Sequence, residues 1–192
     1  FSVPNEEILN TKLFGKKIQN PIGLAAGFDK SAEIYNEIFK IGFGFVEVGT
    51  VTPKKQYGNA KPRVFRLEKD QALINRLGFN NDGSETIKKR IEHNVPNGLL
   101  GINIGPNKDT DNRLNDYIEC LKTFHEVADY ITINISSPNT ENLRSFHEQT
   151  KLNELLEIIE KEKKILNSKI PIAVKVSPDI NDQEIKNICE VL

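Results

Sequence analysis

Short apolar runs alternate along the chain with segments of helical periodicity. The runs cover residues 22–26, 45–49, 99–105, 130–136 and 171–177. Their lengths, and the β-branched residues in most of them, are typical of strands buried on both faces rather than of helices. Because each run is followed by a helical segment, the pattern predicts an α/β fold in which parallel strands are joined by right-handed crossovers.

The helical segments can be placed by their caps and apolar faces. Ser31 is a candidate N-cap for a helix that ends at Gly42, where glycine easily adopts a left-handed conformation. The apolar face of this helix consists of Ile34, Ile38 and Ile41. Two later helices have apolar faces at the same spacing, formed by Leu152, Leu155, Leu156 and Ile159 and by Ile185, Ile188, Cys189 and Leu192.

Two segments interrupt the alternation. Residues 13–21, LFGKKIQNP, indicate a small hairpin that turns at Gly15 and Lys16 and covers the end of a barrel or sheet. Residues 50–79 are too long and too rich in turn residues for a simple connection, and loops of that length are usually functional.

A polar residue recurs near the end of four of the predicted strands. Glu47, Asn103, Asn134 and Lys175 each lie between two branched apolar residues, just before a small residue. Alternation along a strand turns these side chains to the face opposite their neighbours. Each could be satisfied separately by its own surroundings. A shared ligand explains them together, because both barrels and open parallel sheets bind ligands at the carboxyl ends of their strands.

Lys30 adds a second cation at the same predicted end, beside a glycine that allows a ligand to approach the backbone. Two lysines and two amides around one cavity are suited to an electron-rich aromatic cofactor and a carboxylated substrate. The residue types therefore favour a small-molecule site.

Composition narrows the class of protein. The chain has 192 residues, 38% of them hydrophobic and 28% charged, which favours one soluble globular domain. A net charge of -1 provides no electrostatic surface for a nucleic acid or an anionic membrane. Cys120 and Cys189 are interpreted as reduced thiols, and the three histidines show no metal-ligand spacing with them. No apolar run approaches the roughly 18 residues of a membrane span.

Several motifs together resemble the dihydroorotate dehydrogenase family in order and spacing. They are NPIGLAAGFDK, GFGFVEVGTVTP, GNAKPRVFRL, INRLGFNN, GINIG, NKDT, INISSPNTENLR and AVKVSPD, from about Leu13 to the end of the chain. The resemblance implies a (β/α)8 barrel that uses FMN to oxidise (S)-dihydroorotate to orotate in pyrimidine biosynthesis. Ser137 stands where class 1 enzymes have a cysteine base, which implies the class 2 branch with a quinone as electron acceptor.

The resemblance also implies a role for each matching residue. Ser137 would remove a proton from C5 of dihydroorotate while hydride passes from C6 to the flavin, and Lys175 would stabilise the negative charge of the reduced flavin. The implied substrate contacts are Lys30, Asn75, Arg76, Leu77, Gly78, Phe79, Asn134 and Asn139. The implied FMN contacts are Ala26, Gly27, Lys30, Thr50, Asn103, Asn134 and Lys175.

The chain departs from the family in extent and in two motifs. A barrel of this kind has eight strands in about 250 residues, and the sequence supplies five. We therefore expect residues 1–192 to be a single FMN-dependent barrel domain that is truncated at its C-terminus. We also expect it to lack the N-terminal helices that form the quinone tunnel and hold the enzyme peripherally at the cytoplasmic face of the inner membrane. Pro106 replaces a lysine, and TENL at residues 140–143 replaces TPGL.

Two other functions are compatible with the sequence. The chain could be a non-catalytic barrel fragment that needs a partner or its missing half, because five strands leave an open edge. It could also belong to a related FMN barrel that acts on another pyrimidine. Competition by orotate against uracil separates the latter from a dihydroorotate dehydrogenase.

Overall fold

The five apolar runs form one parallel sheet in a computed structural model that describes residues 7–139 and 143–192. In chain order the strands are β1 (Thr11–Leu13), β2 (Lys16–Ile18), β3 (Gly23–Leu24), β4 (Phe45–Val51), β5 (Val64–Leu67), β6 (Ala72–Asn75), β7 (Leu99–Ile104), β8 (Tyr130–Asn134) and β9 (Ile172–Lys175). The sheet has the order β3-β4-β7-β8-β9, and every neighbouring pair in it is parallel. The predicted strands and their parallel pairing are confirmed.

The helices follow the strands as the alternation predicts. They are α1 (Tyr35–Lys40), α2 (Ser84–His93), α3 (Arg113–Phe124), α4 (Gln149–Ile165) and α5 (Asp182–Val191), with 3-10 turns at Glu7–Leu9, Glu68–Asp70 and Leu143–His147. Within α4, Leu152, Leu155 and Ile159 are buried as predicted. In α5 only Ile188 is buried, and Ile185 is 44% exposed. The apolar face predicted for α5 is therefore only partly covered.

The prediction that Ser31 caps the first helix is wrong. The Asp29 carboxylate accepts hydrogen bonds from the backbone nitrogens of Glu33 and Ile34, both at 2.9 Å, just before α1. Ser31 instead accepts from the backbone nitrogen of Asp82 at 3.2 Å. A carboxylate offers two acceptor oxygens and a negative charge, which suits the free N–H groups at a helix start better than one hydroxyl.

The apolar face predicted for α1 is also only partly correct. Ile38 is buried, but Ile34 is 42% exposed and Ile41 is 68% exposed. Tyr35, which starts the helix, is buried as well. The helix ends before Gly42, which has the expected positive φ of 107°.

The parallel strands carry apolar side chains on one face and polar side chains on the other. The face that packs against the helices contributes fully buried residues to the core: Val46, Val48, Leu100, Ile102, Ile131 and Ile133. The opposite face carries Glu47, Asn103, Thr132 and Asn134. Alternation along each strand separates the two sets, so that one face builds the core and the other is available for a site.

A short hairpin covers the amino ends of the strands. Strands β1 and β2 pair antiparallel, and the Phe14 ring lies 5.1 Å from the Tyr130 ring. Lys16 pairs with the Asp129 carboxylate at the same end. The predicted cover is confirmed, but the turn consists of Phe14 and Gly15, both with positive φ, because Lys16 already belongs to β2.

The insertion at residues 50–79 contains a second hairpin, which the sequence did not indicate. Strands β5 and β6 pair antiparallel from Val64 with Asn75 to Leu67 with Ala72. Every residue of both strands is exposed, so neither face needs apolar residues. The sequences VFRL and ALIN accordingly show no alternation of apolar and polar residues. The insertion is tied back by backbone hydrogen bonds of 3.0 Å in both directions between Gln56 and Asn81.

Candidate active site

The carboxyl ends of the parallel strands open into a cavity of about 900 Å³. Its polar lining consists of Lys30, Thr50, Asn75, Asn134, Ser136, Ser137, Asn139, Arg144 and Lys175. Its apolar lining includes Phe28, Val64, Leu73, Leu77, Phe79, Pro138, Val176 and Pro178. The volume and the mixture of apolar walls with a few polar groups are typical of small-molecule sites.

A connected set of hydrogen bonds forms the base of the cavity. Asn103 Nδ2 donates to the Glu47 carboxylate at 2.8 Å, and Asn103 Oδ1 accepts from Thr50 Oγ1 at 2.6 Å. Asn134 Nδ2 donates to Thr50 Oγ1 at 2.9 Å and to Asn103 Oδ1 at 3.1 Å. The strand polar groups therefore satisfy one another across three strands, rather than each separately.

This network fixes which atoms reach the cavity. Asn103 is fully buried and does not line the cavity, whereas Thr50 and Asn134 do. The Glu47 carboxylate also accepts from Thr132 Oγ1 at 2.8 Å. Because the amide nitrogen of Asn103 donates to Glu47, the amide oxygen of Asn103 faces Thr50 and Asn134. Asn103 thus supports the site from behind.

The side chains of Lys30 and Lys175 line the same cavity. Neither ammonium group forms a hydrogen bond or ion pair with any residue in 7–139 or 143–192. Burial lowers the pKa of Lys30, and the positive charges of Arg63 and Lys175 lower it further. An anionic ligand would offset these charges, so the arrangement favours binding of an anion.

Arg63 contributes positive charge near the cavity, a role that the sequence did not predict. Its guanidinium donates to the backbone oxygens of Tyr57 and of Asn59, the latter at 3.1 Å. Both acceptors belong to the insertion, which holds the Arg63 charge near Lys30. The sequence offers only the position of Arg63 next to β5, which does not indicate an electrostatic role.

Ser137 lies in the turn after β8 and lines the cavity. Its Oγ accepts a hydrogen bond from the backbone nitrogen of Asn139 at 3.2 Å. The preceding residue, Ser136, donates from its hydroxyl to Asn134 Oδ1 at 2.7 Å. The Ser137 hydroxyl therefore shapes the turn and remains available to a ligand, because its own proton is not used in the bond to Asn139.

The segment after β6 forms another wall. Asn75, Leu77, Gly78 and Phe79 line the cavity, but Arg76 does not. The Arg76 guanidinium donates to the backbone oxygen of Pro62 at 2.8 and 3.1 Å, on the outside of the insertion. Of the predicted substrate contacts, Arg76 is thus the one that the fold turns away from the cavity.

The segment after β3 exposes its backbone to the cavity. Gly27 has a φ of 114° and donates its backbone nitrogen to Gly49 O at 2.8 Å. A Cβ at Gly27 would meet no atom within 4 Å, so the glycine faces free space. With Ala26 beside it, this stretch leaves room for a flat ligand against the backbone.

Comparisons with known proteins agree with this geometry. The sequence model of the family described as Dihydroorotate dehydrogenase matches residues 8–192. The chain belongs to the dihydroorotate dehydrogenase family. It is 50% identical over 186 residues to the "Dihydroorotate dehydrogenase (quinone)" of Bartonella tribocorum, with 95% of this chain and 52% of the relative covered. The corresponding protein of Rhodopseudomonas palustris is 45% identical over 192 residues, with 98% and 53% covered.

Solved structures of the family superpose closely. The DHODH of Eimeria tenella in complex with ferulenol matches with a TM-score of 0.91 and 40% identity over 97% of this chain and 57% of that chain. Its ligand-free form matches with a TM-score of 0.90 and 39% identity, covering 97% and 59%. The parallel sheet with its helices is thus part of a (β/α)8 barrel, as predicted, and the chain spans about half the length of the curated relatives it matches.

Other predictions concern positions away from the cavity. In the described part of the chain no helix is long and apolar enough to cross a membrane. No group of three potential metal ligands occurs among residues 7–139 and 143–192. Cys120 and Cys189 are both free thiols. Pro106 is buried, and residues 140–142, which carry most of the TENL departure, lie outside the described residues.

Proposed function

We propose that this chain forms part of the active site of a quinone-dependent dihydroorotate dehydrogenase that oxidises (S)-dihydroorotate to orotate. The observation that carries the proposal is the meeting of Ser137, the amides of Asn75, Asn134 and Asn139, and the cation of Lys30 around one cavity. These groups come from three separate segments of the chain: the loop after β3, the end of β6, and the end of β8 with its following turn. Family membership and the quinone-dependent relatives support the same reaction.

The amides and the lysine account for substrate binding. Each amide offers a donor and an acceptor, which match the alternating N–H and C=O groups of a pyrimidinedione ring. Lys30 supplies a positive charge for the carboxylate at C6. Phe79 and Pro138 line the cavity and would shield a bound ring from water, which would strengthen these polar contacts.

Ser137 is proposed as the base of the reaction. The Ser137 hydroxyl takes the proton from C5 as the C5=C6 double bond forms. A serine hydroxyl is a weak base, so this step requires a water-excluded site and a path that removes the proton to solvent. The half-buried position of Ser137, with its turn hydrogen bond from Asn139, holds the oxygen in a defined place.

The residues present fit FMN as the cofactor. Gly27 leaves its backbone open to a flat ring, and Lys30, Thr50, Asn134 and Lys175 supply donors around the same space. FMN, when bound, accepts the hydride equivalent from C6. The Lys175 ammonium group has no partner among the described residues, and its charge would stabilise the anionic form of the reduced ring. Asn103 would act on this site through Thr50 and Asn134.

The remaining parts of the proposal concern electron transfer and location. The relatives named as quinone-dependent enzymes support a quinone as the final acceptor. A peripheral position at the cytoplasmic face of the inner membrane is part of the same proposal. The chain would contribute to one FMN-dependent barrel domain. It spans 52% of the Bartonella tribocorum relative, so these properties belong to the complete protein.

The decisive experiment compares Ser137→Ala with Ser168→Ala in the complete protein. Ser168 Oγ accepts from the backbone nitrogen of Ile170 at 3.3 Å, the same two-residue turn that Ser137 forms with Asn139, but at the opposite end of the sheet. Ser137→Ala should slow flavin reduction by about 10²–10⁴-fold, because a proton transfer is lost, while FMN affinity is retained. Ser168→Ala should not slow it.

Rapid anaerobic mixing with dihydroorotate, followed by flavin absorbance, measures this rate. Normal reduction in Ser137→Ala would exclude Ser137 as the base. Inhibition by orotate but not by uracil would support a carboxylate-binding site, whereas equal inhibition would favour a related barrel that acts on another pyrimidine.

A further inference from the structure

The loops that follow β8 and β9 are joined by polar contacts beside the cavity. Arg144 and His147 lie in the 3-10 turn Leu143–His147 after β8, and Ser177 and Asp179 lie in the loop after β9. One terminal nitrogen of Arg144 contacts Asp179 Oδ2 at 3.0 Å. The backbone nitrogen of Ser177 donates to His147 Nε2 at 3.4 Å. Two non-covalent contacts therefore connect the loops that follow the neighbouring strands β8 and β9.

Arg144 makes a second contact with a different atom of its guanidinium. Its Nε donates to the backbone oxygen of Ser136 at 3.2 Å. The planar guanidinium holds its Nε and terminal donors in a rigid arrangement, so one side chain can bind a carbonyl and a carboxylate at once. A lysine carries its donors on one atom at the end of a flexible chain and does not reproduce this geometry.

Asp179 is itself held in place by its own loop. Its backbone nitrogen donates to Ser177 Oγ at 3.2 Å, and Ser177 Oγ donates to Asp179 Oδ2 at 3.4 Å. Ser177 follows Lys175, a cavity residue, by two positions. The carboxylate that receives Arg144 is therefore anchored close to the end of β9, rather than on a freely moving side chain.

The Ser136 carbonyl belongs to the peptide unit whose nitrogen is that of Ser137. Rotation of this peptide changes the backbone angle φ of Ser137 and hence the direction of its Oγ. We propose that Arg144, held by Asp179, is a positioning residue that fixes this peptide through the Ser136 carbonyl and thereby aims the Ser137 hydroxyl into the cavity. The inference rests on the proposed function, because it assigns an orientation to the base named there.

The exposure of the ion pair separates positioning from folding stability. The Arg144 side chain is 37% exposed and that of Asp179 is 68% exposed. Exposed pairs of this kind contribute little to folding stability, because water competes for both charges. Loss of the contact should therefore reduce the rate of the chemical step far more than it reduces the stability of the protein.

The test uses the complete protein loaded with FMN and compares Arg144→Lys with Lys151→Gln. Lys151 forms an exposed ion pair with Glu148 at 3.2 Å, close to Arg144 in sequence but outside the cavity lining. Arg144→Lys should slow flavin reduction at saturating dihydroorotate at least tenfold. The KM for dihydroorotate, the Kd of FMN and the thermal midpoint should stay close to those of Lys151→Gln.

A second pair of variants tests the route through Asp179. Asp179→Asn should slow reduction less than Arg144→Lys, because Arg144 Nε can still reach the Ser136 carbonyl. The double variant should be no slower than Arg144→Lys alone, since Asp179 acts only through Arg144. Equal rates for Arg144→Lys and Lys151→Gln, a change confined to KM or FMN affinity, or additive effects in the double variant would each overturn the positioning role.

Ser137→Ala, measured in the same series, separates the two proposals. Slow flavin reduction in Ser137→Ala together with a normal rate in Arg144→Lys would overturn the positioning role and leave Ser137 as the base. A normal rate of flavin reduction in Ser137→Ala would overturn the assignment of Ser137 as the base. The positioning role of Arg144 would be overturned with it.

Discussion

The two faces of the same strands obey different physical demands. On the face that meets the helices, Ile102 and Ile133 are fully buried in the apolar core. On the other face, Asn103 and Asn134 are also buried, but they are held by hydrogen bonds to one another and to Thr50. Burial alone therefore does not distinguish a structural position from a functional one. The difference lies in whether the buried atoms are apolar or form a polar network that ends at a cavity.

The largest effect is expected on the apolar face. Ile102→Ala removes three carbons from a fully buried position and should lower the free energy of unfolding by about 2–5 kcal/mol. Ile102→Val, the matched control, should lower it by about 0.5–1.5 kcal/mol. Equilibrium denaturation in urea measures both. Equal values for the two variants would show that the core collapses around the lost atoms.

Substitution of Asn103, which follows Ile102, should lower stability less but affect function more. Asn103→Leu keeps the size of the side chain but leaves the Glu47 carboxylate, the Thr50 hydroxyl and the Asn134 amide each without one partner. The free energy of unfolding should fall by about 1–3 kcal/mol. FMN affinity should fall as well, because Thr50 and Asn134 line the cavity. Fluorescence titration with FMN tests this, and an unchanged affinity would separate the network from the site.

The smallest stability effect is expected at Lys175, where the polar face meets the cavity. Lys175→Met removes a charge that has no partner among the described residues, and it should change the free energy of unfolding by roughly 0.5 kcal/mol or less. Orotate binding should nevertheless weaken. Because Lys175 is one of the charges that lower the pKa of Lys30, its removal should raise that pKa.

The pH dependence follows from the sign of the Lys30 shift. A lysine whose pKa is lower in the folded state destabilises the fold while charged, so stability rises as pH increases from that lowered pKa toward 10.5. Anion binding depends on the charged form and should decline over the same interval. In Lys175→Met the decline should move to higher pH. Orotate titrations from neutral to alkaline pH check this, and an unshifted profile would show that the two lysines are not coupled.

A structural element could be predicted where a short stretch of sequence carries a distinctive pattern of residues. The five parallel strands are visible as apolar runs, and the spacing within INISSPNTENLR places Ser137 and Asn139 in one turn. Strands β5 and β6 were missed because exposed strands show no alternation. The Ser31 cap was assigned wrongly because Asp29, four residues before Glu33, competes for the same backbone nitrogens.

The sequence alone was sufficient to predict the family, the order of the parallel strands and helices, and most of the residue types around the cavity. Those properties depend on side-chain periodicity and on motifs of a few residues. Three contacts became apparent only from the fold: Asn103 supports the cavity without lining it, Arg76 points away from it, and Arg144 contacts Asp179 across 35 positions of the chain. These outcomes depend on which strands become neighbours. A side chain's partner then comes from a distant segment, and its own local sequence carries no record of the contact.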